Sequence, residues 1–353
     1  MQNQKTILVA PLNWGLGHAT RCIPIIEALL KNDYIPLLAS DGSALELLKK
    51  EFPDLNHIEL PSYQITYAKN AKAFKWKLLF DSPKMIKAIK KEKKIVKELV
   101  VAGKIQGIIS DNRLGVRSKK VPSVFITHQL NVLTGNTTWL STKIHLDIIK
   151  KYDACWVPDV EGIGNLSGKL GHPEEVPSNV TYIGPLSRMK KKSLKKKYDI
   201  LVLLSGPEPQ RSYLEEKLML ELHNIDKKVL FVLGKVEEQQ HCYTQDNFRV
   251  YNFMGSKVLE KAINESELVI SRSGYTTIMD LTILEKKVFF IPTPGQFEQE
   301  YLAKRLKGLG VVPSCKQEKF SVNELGSLVF YKGLKKEVKQ KDLATFFSLF
   351  QSE

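Results

Sequence analysis

The sequence predicts an α/β protein made of two doubly wound domains, and three observations carry that expectation. Short, β-branched apolar runs alternate with longer segments of helical periodicity. The alternation occurs twice, once in each half, and a lysine-rich stretch divides the halves. Strands alternating with helices give right-handed βαβ units and parallel sheets. At 353 residues the chain is long for one core and suits two domains of comparable size.

In the first half, strands are expected at 6–10, 35–39, 108–110, 123–127 and 154–157, with helices such as 20–32 and 43–51 between them. In the second half the strands fall at 200–204, 228–233, 250–253, 268–271 and 288–291. This places one domain over 1–184 and the other over 200–340. The connector 185–199 carries lysine triplets at 190–192 and 195–197, which read as a solvated, self-repelling linker. The tail 341–353 has a helical pattern near 342–350 that is expected to pack back across the domain boundary. The two domains are expected to face each other across a cleft.

Composition narrows the class. An apolar share of 43% with 26% charged residues is that of a folded globular chain, not a disordered one. No repeat suggests a solenoid. Cys22, Cys155, Cys242 and Cys315 are scattered and form no metal-ligand pair, as expected of thiols in a reducing cytosol. The N-terminus lacks the basic start and long apolar stretch of a secretion signal, and no window approaches about 18 consecutive apolar residues. The chain therefore reads as cytoplasmic. Its 53 basic and 38 acidic residues give a formal charge of +15, which favours nucleic acid, anionic lipid or phosphorylated small molecules. No aromatic-plus-basic strand motif or helix-turn-helix pattern is present, which argues against nucleic acid.

Three blocks after strands have the makings of ligand loops. The first, Asn13-Trp14-Gly15-Leu16-Gly17-His18-Ala19-Thr20-Arg21, follows the first strand. Its glycines let backbone approach a ligand, and the following helix offers unpaired N–H groups; a plain tight turn with an incidental His18 is the competing reading. The second, Ser271-Arg272-Ser273-Gly274-Tyr275-Thr276-Thr277-Ile278-Met279-Asp280, also joins a strand to a helix and suits a diphosphate. Asp280, further along, is placed to accept from ribose hydroxyls. Arg272 is either a phosphate clamp or a packing arginine. The third runs from Pro292 to Glu300, where Glu298 and Gln299 are candidates to read sugar hydroxyls or are ordinary helix-start residues. Rim candidates are Asp111, His128 and Ser205, each at a strand end. Separately, the seven lysines from Lys84 to Lys97 flank Met85, Ile86, Ile89, Ile95 and Val96. Core packing with a solvated basic face is the plain reading, and an anionic membrane surface is the sharper one, with Phe74, Trp76, Leu78, Leu79 and Phe80 as apolar anchors.

Together these blocks resemble the family 28 glycosyltransferases of the GT-B fold, the family of the peptidoglycan N-acetylglucosaminyltransferases and the diacylglycerol glycosyltransferases. The resemblance covers most of the chain and is strongest from Val250 to Leu306. It implies that Phe253 and Met254 border a uracil, and that Ser273, Gly274, Tyr275 and Thr276 hold the diphosphate. It further implies that Asp280 takes the ribose in place of the usual glutamate and that Glu298 and Gln299 contact the donor sugar. In the first half, Gly15, Gly17 and His18 are similar to the family's glycine-rich loop and histidine, and His128 and Asn131 to its acceptor-side His-x-x-Asn block. Two departures stand out: the first loop has only two glycines, and the loop from Ser205 to Arg211 bears prolines where the family has a glycine-rich turn.

The resemblance implies transfer of a hexose or N-acetylhexosamine from a nucleotide-sugar, expected to be UDP-linked, to a hydroxyl acceptor that is lipid-linked in some members. The expected chemistry is a direct inverting displacement. His18 is the leading general base because its ordinary acidity leaves it neutral at cell pH, and Asp111 is the fallback. No Asp-x-Asp occurs, so neither metal nor cofactor is expected. The lysine run adds an expected location at the inner face of the plasma membrane. Two alternatives stay open: a non-hydrolysing UDP-sugar epimerase, and a non-catalytic nucleotide-sugar-binding protein.

Overall fold

The computed structural model describes residues 4–63, 71–133, 138–206, 208–223, 225–335 and 341–351, and only the helical path of 71–82. Pro207 and the side chains of Phe74, Trp76, Leu78, Leu79 and Phe80 lie outside the described residues. The chain divides into two compact units: one comprises Met1–Thr66, Trp76–Leu186 and Val338–Glu353, and the body of the other is Ser187–Glu337.

The first unit contains β1 (Thr6–Pro11), α1 (Gly17–Lys31), β2 (Ile35–Ser40), α2 (Gly42–Glu51), β3 (His57–Glu59), α3 (Ala71–Val101), β4 (Gly107–Asp111), β5 (Ser123–Ile126), α4 (Thr138–Ile149), β6 (Ala154–Val157) and β7 (Val180–Tyr182). The strands form one parallel sheet in the order β3-β2-β1-β4-β5-β6-β7. Helices cover both faces, so the central strands are apolar throughout, not alternating: Ile7, Leu8 and Val9 are all fully buried. In register, Leu8 lies between Leu37 of β2 and Ile108 of β4. Leu8, Ala10, Ala39 and Ile108 then pack against Val96 of α3.

The second unit contains β8 (Tyr198–Leu203), α5 (Gln210–Leu222), β9 (Val229–Val232), β10 (Cys242–Gln245), β11 (Phe248–Tyr251), α6 (Ser256–Asn264), β12 (Ser266–Ser271), α7 (Tyr275–Ile283), β13 (Lys287–Phe290) and α8 (Phe297–Gly308). Its sheet runs β10-β11-β9-β8-β12-β13, parallel except for the antiparallel β10 edge. Without β10, both sheets repeat one wiring: the first strand of the unit is central, and the order reverses between it and the strand at its other side. The reversals lie between β1 and β4 and between β8 and β12. Ligands of open α/β sheets bind outside the carboxyl ends of the strands at such a switch point.

Three strands were invisible to pattern reading. β3 and β7 are three residues each and β10 is exposed along its length, so none has an apolar run. β11 ends at Tyr251 because Asn252 turns the chain: its Oδ1 accepts from the N–H of Phe253 (2.9 Å) and of His241 (2.8 Å).

The six lysines of the two triplets are exposed, as expected, but the segment is not a free connector. The backbone N–H groups of Lys190 and Lys192 donate to Glu260 Oε2 (2.7 Å) and Asn264 Oδ1 (3.0 Å) on α6, and Lys196 Nζ donates to the Asn264 carbonyl (2.6 Å). Lys192 and Lys197 pair with Glu260 and Glu265. Carboxylates on α6 and at its C-cap thus offset the lysine repulsion and strap the segment to the second unit. The tail is a 3-10 segment, Leu343–Phe350, started by Asp342, whose carboxylate accepts from Ala344 N–H (3.0 Å). Phe347 and Phe350 are buried against Tyr34 and Trp156 of the first unit. Gly107 is required there, since a Cβ would stand 2.6 Å from the Phe350 ring.

Candidate functional site

The switch point of the first unit is charged and buried. β1 delivers the loop 12–16, α1 begins at Gly17, and β4 ends on Asp111. His18 Nδ1 lies 2.7 Å from Asp111 Oδ1. Arg21, one helical turn beyond His18, donates through Nε to Asp111 Oδ2 (2.5 Å) and through Nη2 to Asp111 Oδ1. Nη2 also lies 2.8 Å from His18 Nδ1, and Nη1 lies 3.0 Å from His128 Nδ1, at the end of β5. Cys22 Sγ donates to Asp111 Oδ2 at 3.7 Å. Arg21 and Asp111 are buried, whereas the His18 side chain keeps 15% of its surface exposed.

Electrostatics give each group a role. Burial pushes the Asp111 carboxyl up, but the Arg21 guanidinium and then His18 outweigh it and hold the group well below the usual carboxylate range. Asp111 is therefore an anion that orients His18, and a weak base itself; its fallback role as the proton acceptor is disfavoured on this ground. His18 is lowered from its ordinary value, first by burial and then by Arg21, against the opposing pull of Asp111. With Nδ1 turned to the carboxylate, Nε2 has no hydrogen-bond partner among the described residues. The arrangement is an imidazole backed by a carboxylate, with a ring nitrogen that can take up a proton.

A second buried network holds the loop. Arg113 pairs with Glu92 (2.7 Å) and Asp41, and its Nε donates to the Pro11 carbonyl (3.0 Å). Asp41 Oδ2 accepts from Asn13 Nδ2 (3.2 Å), and Tyr63 donates to Glu92 (2.8 Å). Gly15, with φ at +76°, makes the turn in between. Asn131, expected beside an acceptor, has a structural bond instead: its Nδ2 donates to the Lys169 carbonyl at 2.6 Å.

The switch point of the second unit is built differently. Arg272 is 1% exposed and donates to the carbonyls of Ile291 (3.1 Å), Pro292 (3.1 Å) and Gln210 (2.8 Å) and to Gln317 Oε1 (2.7 Å). Burial lowers its guanidinium to about 9. This resolves the open reading in favour of packing: Arg272 is no phosphate clamp. Ser273 is fully buried and its hydroxyl donates to the Gln299 carbonyl (2.8 Å), so its side chain is spent within the protein. Gly274 is the N-cap of α7, without a side-chain cap, and a Cβ there would meet no atom within 4 Å. Tyr275 is buried and Thr276 half-buried.

Gln299 Oε1 accepts from Thr293 N–H (2.9 Å), which uses the side-chain oxygen expected to read a sugar to fold the loop after β13. Glu298, Phe253 and Ser205 are half-buried, and Met254 is buried. Asp280 Oδ1 accepts from Ser187 Oγ (2.6 Å) at the strap. Burial pushes its carboxyl up to about 6, against the opposing effects of Arg188 and Ser187.

Residues 210–345 match the glycosyltransferase family 28 C-terminal domain. The chain therefore carries a glycosyltransferase family 28 C-terminal domain. The chain is 23% identical over 288 residues to the UDP-N-acetylglucosamine–N-acetylmuramyl-(pentapeptide) pyrophosphoryl-undecaprenol N-acetylglucosamine transferase of Clostridium botulinum, covering 78% of this chain and 75% of that protein. Solved structures share its fold. The spinosyn forosaminyltransferase SpnP aligns with a TM-score of 0.61 at 12% identity over 99% of this chain and all of that one (100%). Acinetobacter baumannii MurG aligns with a TM-score of 0.53 at 14% identity, over 99% and 95%. The fold is GT-B, and the expected pair of Rossmann-like domains is present.

Sequence reasoning missed Arg21 and Arg113. Arg21 carried a usable signal, since residues three apart on a helix share a face and His18 was already a candidate. Arg113, two residues past Asp111, had none: its partners Asp41 and Glu92 lie far away in sequence.

Proposed function

We propose that the chain transfers a hexose or N-acetylhexosamine from a UDP-sugar to a hydroxyl acceptor carried on a lipid, with inversion and without a bound metal or cofactor. The observation that carries the reading is the His18–Asp111 pair at the first switch point, in a chain whose second half is a family 28 domain. The relative named above uses UDP-N-acetylglucosamine and an undecaprenol-linked acceptor, which supports the UDP and lipid assignments. His18 Nε2 removes the acceptor proton as the oxygen attacks the anomeric carbon, and UDP leaves with an added negative charge. Backbone N–H groups at the start of α7, opened by Gly274, stabilise that charge. Phe253 and Met254 border the base, Asp280 takes a ribose hydroxyl with the oxygen not held by Ser187, and Glu298 meets the sugar.

The acceptor-side proposal includes a surface. On α3, Met85, Ala88, Ile89, Ile95 and Val96 pack into the core, while all seven lysines from Lys84 to Lys97 are exposed. That face is proposed to dock on an anionic membrane. Among the described residues, no helix is long and apolar enough to cross one.

The test is a thermal-shift panel of UDP-, GDP- and dTDP-sugars, followed by turnover of the best donor with and without a lipid-linked acceptor. UDP-sugar stabilisation with acceptor-dependent release of UDP is expected. Conversion of UDP-N-acetylglucosamine alone into an epimer would replace this reading with an epimerase. Binding to anionic vesicles that falls with salt, and on reversing Lys90, Lys91 and Lys94 to Glu, is expected of the α3 face; salt-insensitive absence of binding would remove it.

A further inference from the structure

We infer that Glu92 is a positioning residue for the loop 12–16: through Arg113 and Asp41 it fixes Asn13, and with it the turn at Gly15 ahead of α1. The inference rests on the transfer reading for its effect on the reaction, whereas the chain of contacts stands without it.

Glu92 breaks the pattern of its own helix. The residues that α3 turns into the core follow helical spacing: Met85, Ala88 and Ile89, then Ile95, Val96 and Leu99. Glu92 stands in the middle of that stripe and is fully buried. Burial pushes its carboxyl up from the ordinary value, against the opposing pull of Arg113 and Tyr63. An apolar side chain here would extend the stripe without that cost. The surroundings are shaped to take the carboxylate instead. Its Oε1 accepts from Arg113 Nη1 (2.7 Å), and its Oε2 from the Tyr63 hydroxyl (2.8 Å) and the Gly115 N–H (3.0 Å). A Cβ on Gly115 would stand 2.5 Å from Oε2, so the loop after β4 meets Glu92 with backbone alone.

What the carboxylate gains is a hold on Arg113, which is also fully buried. Arg113 Nε donates to the Pro11 carbonyl at the end of β1 (3.0 Å), Nη1 to the Pro61 carbonyl after β3 (3.2 Å), and Nη2 pairs with Asp41 ahead of α2. Because Nη1 and Nη2 point to different carboxylates, Glu92 and Asp41 fix the guanidinium plane from two sides. Asp41 Oδ2 then accepts from Asn13 Nδ2 (3.2 Å). Asn13 Oδ1 accepts from Ser43 Oγ (3.1 Å) and from the Ala44 N–H (3.3 Å), so both ends of its amide are tied to the start of α2. Apolar packing repeats the connection: Ala88 of α3 shares a cluster with Leu12 and Tyr63, and Trp14, Met85 and Ile89 pack against it. These side-chain contacts involve none of His18, Arg21 and Asp111. The loop and the His18–Asp111 pair are thus held by two networks.

The experiment is a double-mutant cycle of Glu92→Gln and Asn13→Ala in the full chain, read first by amide hydrogen exchange without ligand. Each single variant is expected to speed exchange of the amides from 13 to 17 while β1 and β4 stay protected. The double variant should exchange no faster there than the faster single one, because both substitutions cut one chain of contacts. In transfer assays each variant should lower kcat/KM by roughly tenfold, within the coupling range of residues in one hydrogen-bond network. The acid limb of kcat/KM should stay in place, since the His18–Asp111 pair is untouched. Additive effects of the two substitutions on loop exchange, or an acid limb that moves in Glu92→Gln, would overturn the inference. Glu92→Met removes the hydrogen bonds along with the charge and should match Glu92→Gln in the loop. If neither variant at 92 folds, Glu92 is a folding residue and the inference fails. If the chain proves not to turn over UDP-sugars, the exchange cycle still decides the link, so the two failures are distinguishable.

Discussion

The two switch points share one wiring and use it in opposite ways. Between β1 and β4 the protein concentrates ionisable side chains, with Arg21, Asp111, His18 and His128 in one hydrogen-bonded cluster. Between β8 and β12 it uses side chains to shape backbone: Arg272 gathers three carbonyls and Ser273 a fourth, while Gly274 leaves a bare helix start. In the proposed function the first arrangement moves a proton, and the second presents N–H groups to an anion. The comparison predicts that substitutions at the first switch point act on turnover, and at the second on stability or donor affinity.

The largest effect is expected from Asp111→Asn. Its amide would donate toward His18 Nδ1 and reverse the tautomer, lowering kcat by roughly 10²–10⁴-fold in a protein that still binds UDP. A rate within a few-fold of wild type would break the comparison on the first side. Next comes Arg272→Met, which leaves buried carbonyls without donors and should cost about 3 kcal/mol, read as a lower midpoint in chemical denaturation. If Arg272→Met instead left stability unchanged and abolished UDP binding, Arg272 would be a phosphate ligand after all.

The smallest is a pH effect at Asp280. Its folded-state value of about 6 exceeds the ordinary 3.8, so the folded chain takes up this proton first as pH falls. The carboxylate weakens the fold most above pH 6, and its contribution to stability improves as pH falls from about 6 to about 4. Asp280→Asn should lack that improvement and be relatively more stable than wild type at pH 7. Parallel thermal melts at pH 7 and pH 5 check this, and identical pH responses would show that burial does not penalise the carboxylate.

Much of the fold was legible because parallel strands buried on both faces announce themselves as apolar runs; β6 coincides with its expected range and β1 and β2 each extend it by one residue. β3, β7 and β10 were not, being short or exposed. The lysine segment was read correctly as solvent-facing but not as tethered, because Glu260 and Glu265, which hold it down, lie far along the sequence (70 residues separate Lys190 and Glu260). Within the site, His18 and Asp111 could be named from strand ends. The roles of Arg272 and Gln299 could not, because sequence does not say whether a polar group is already engaged by backbone.

The central claim is the division of labour between the switch points, and the direct measurement is calorimetric UDP binding alongside initial transfer rates for His18→Ala and Gly274→Val. At residue 274 no atom lies within 4 Å of an added Cβ and φ is −69°, so an effect there reports on the ligand more than on folding. The account predicts wild-type UDP affinity with a rate lower by roughly 10²–10⁴-fold for His18→Ala, and weakened UDP binding at ordinary stability for Gly274→Val. Loss of UDP binding in His18→Ala with an undiminished affinity in Gly274→Val would contradict it.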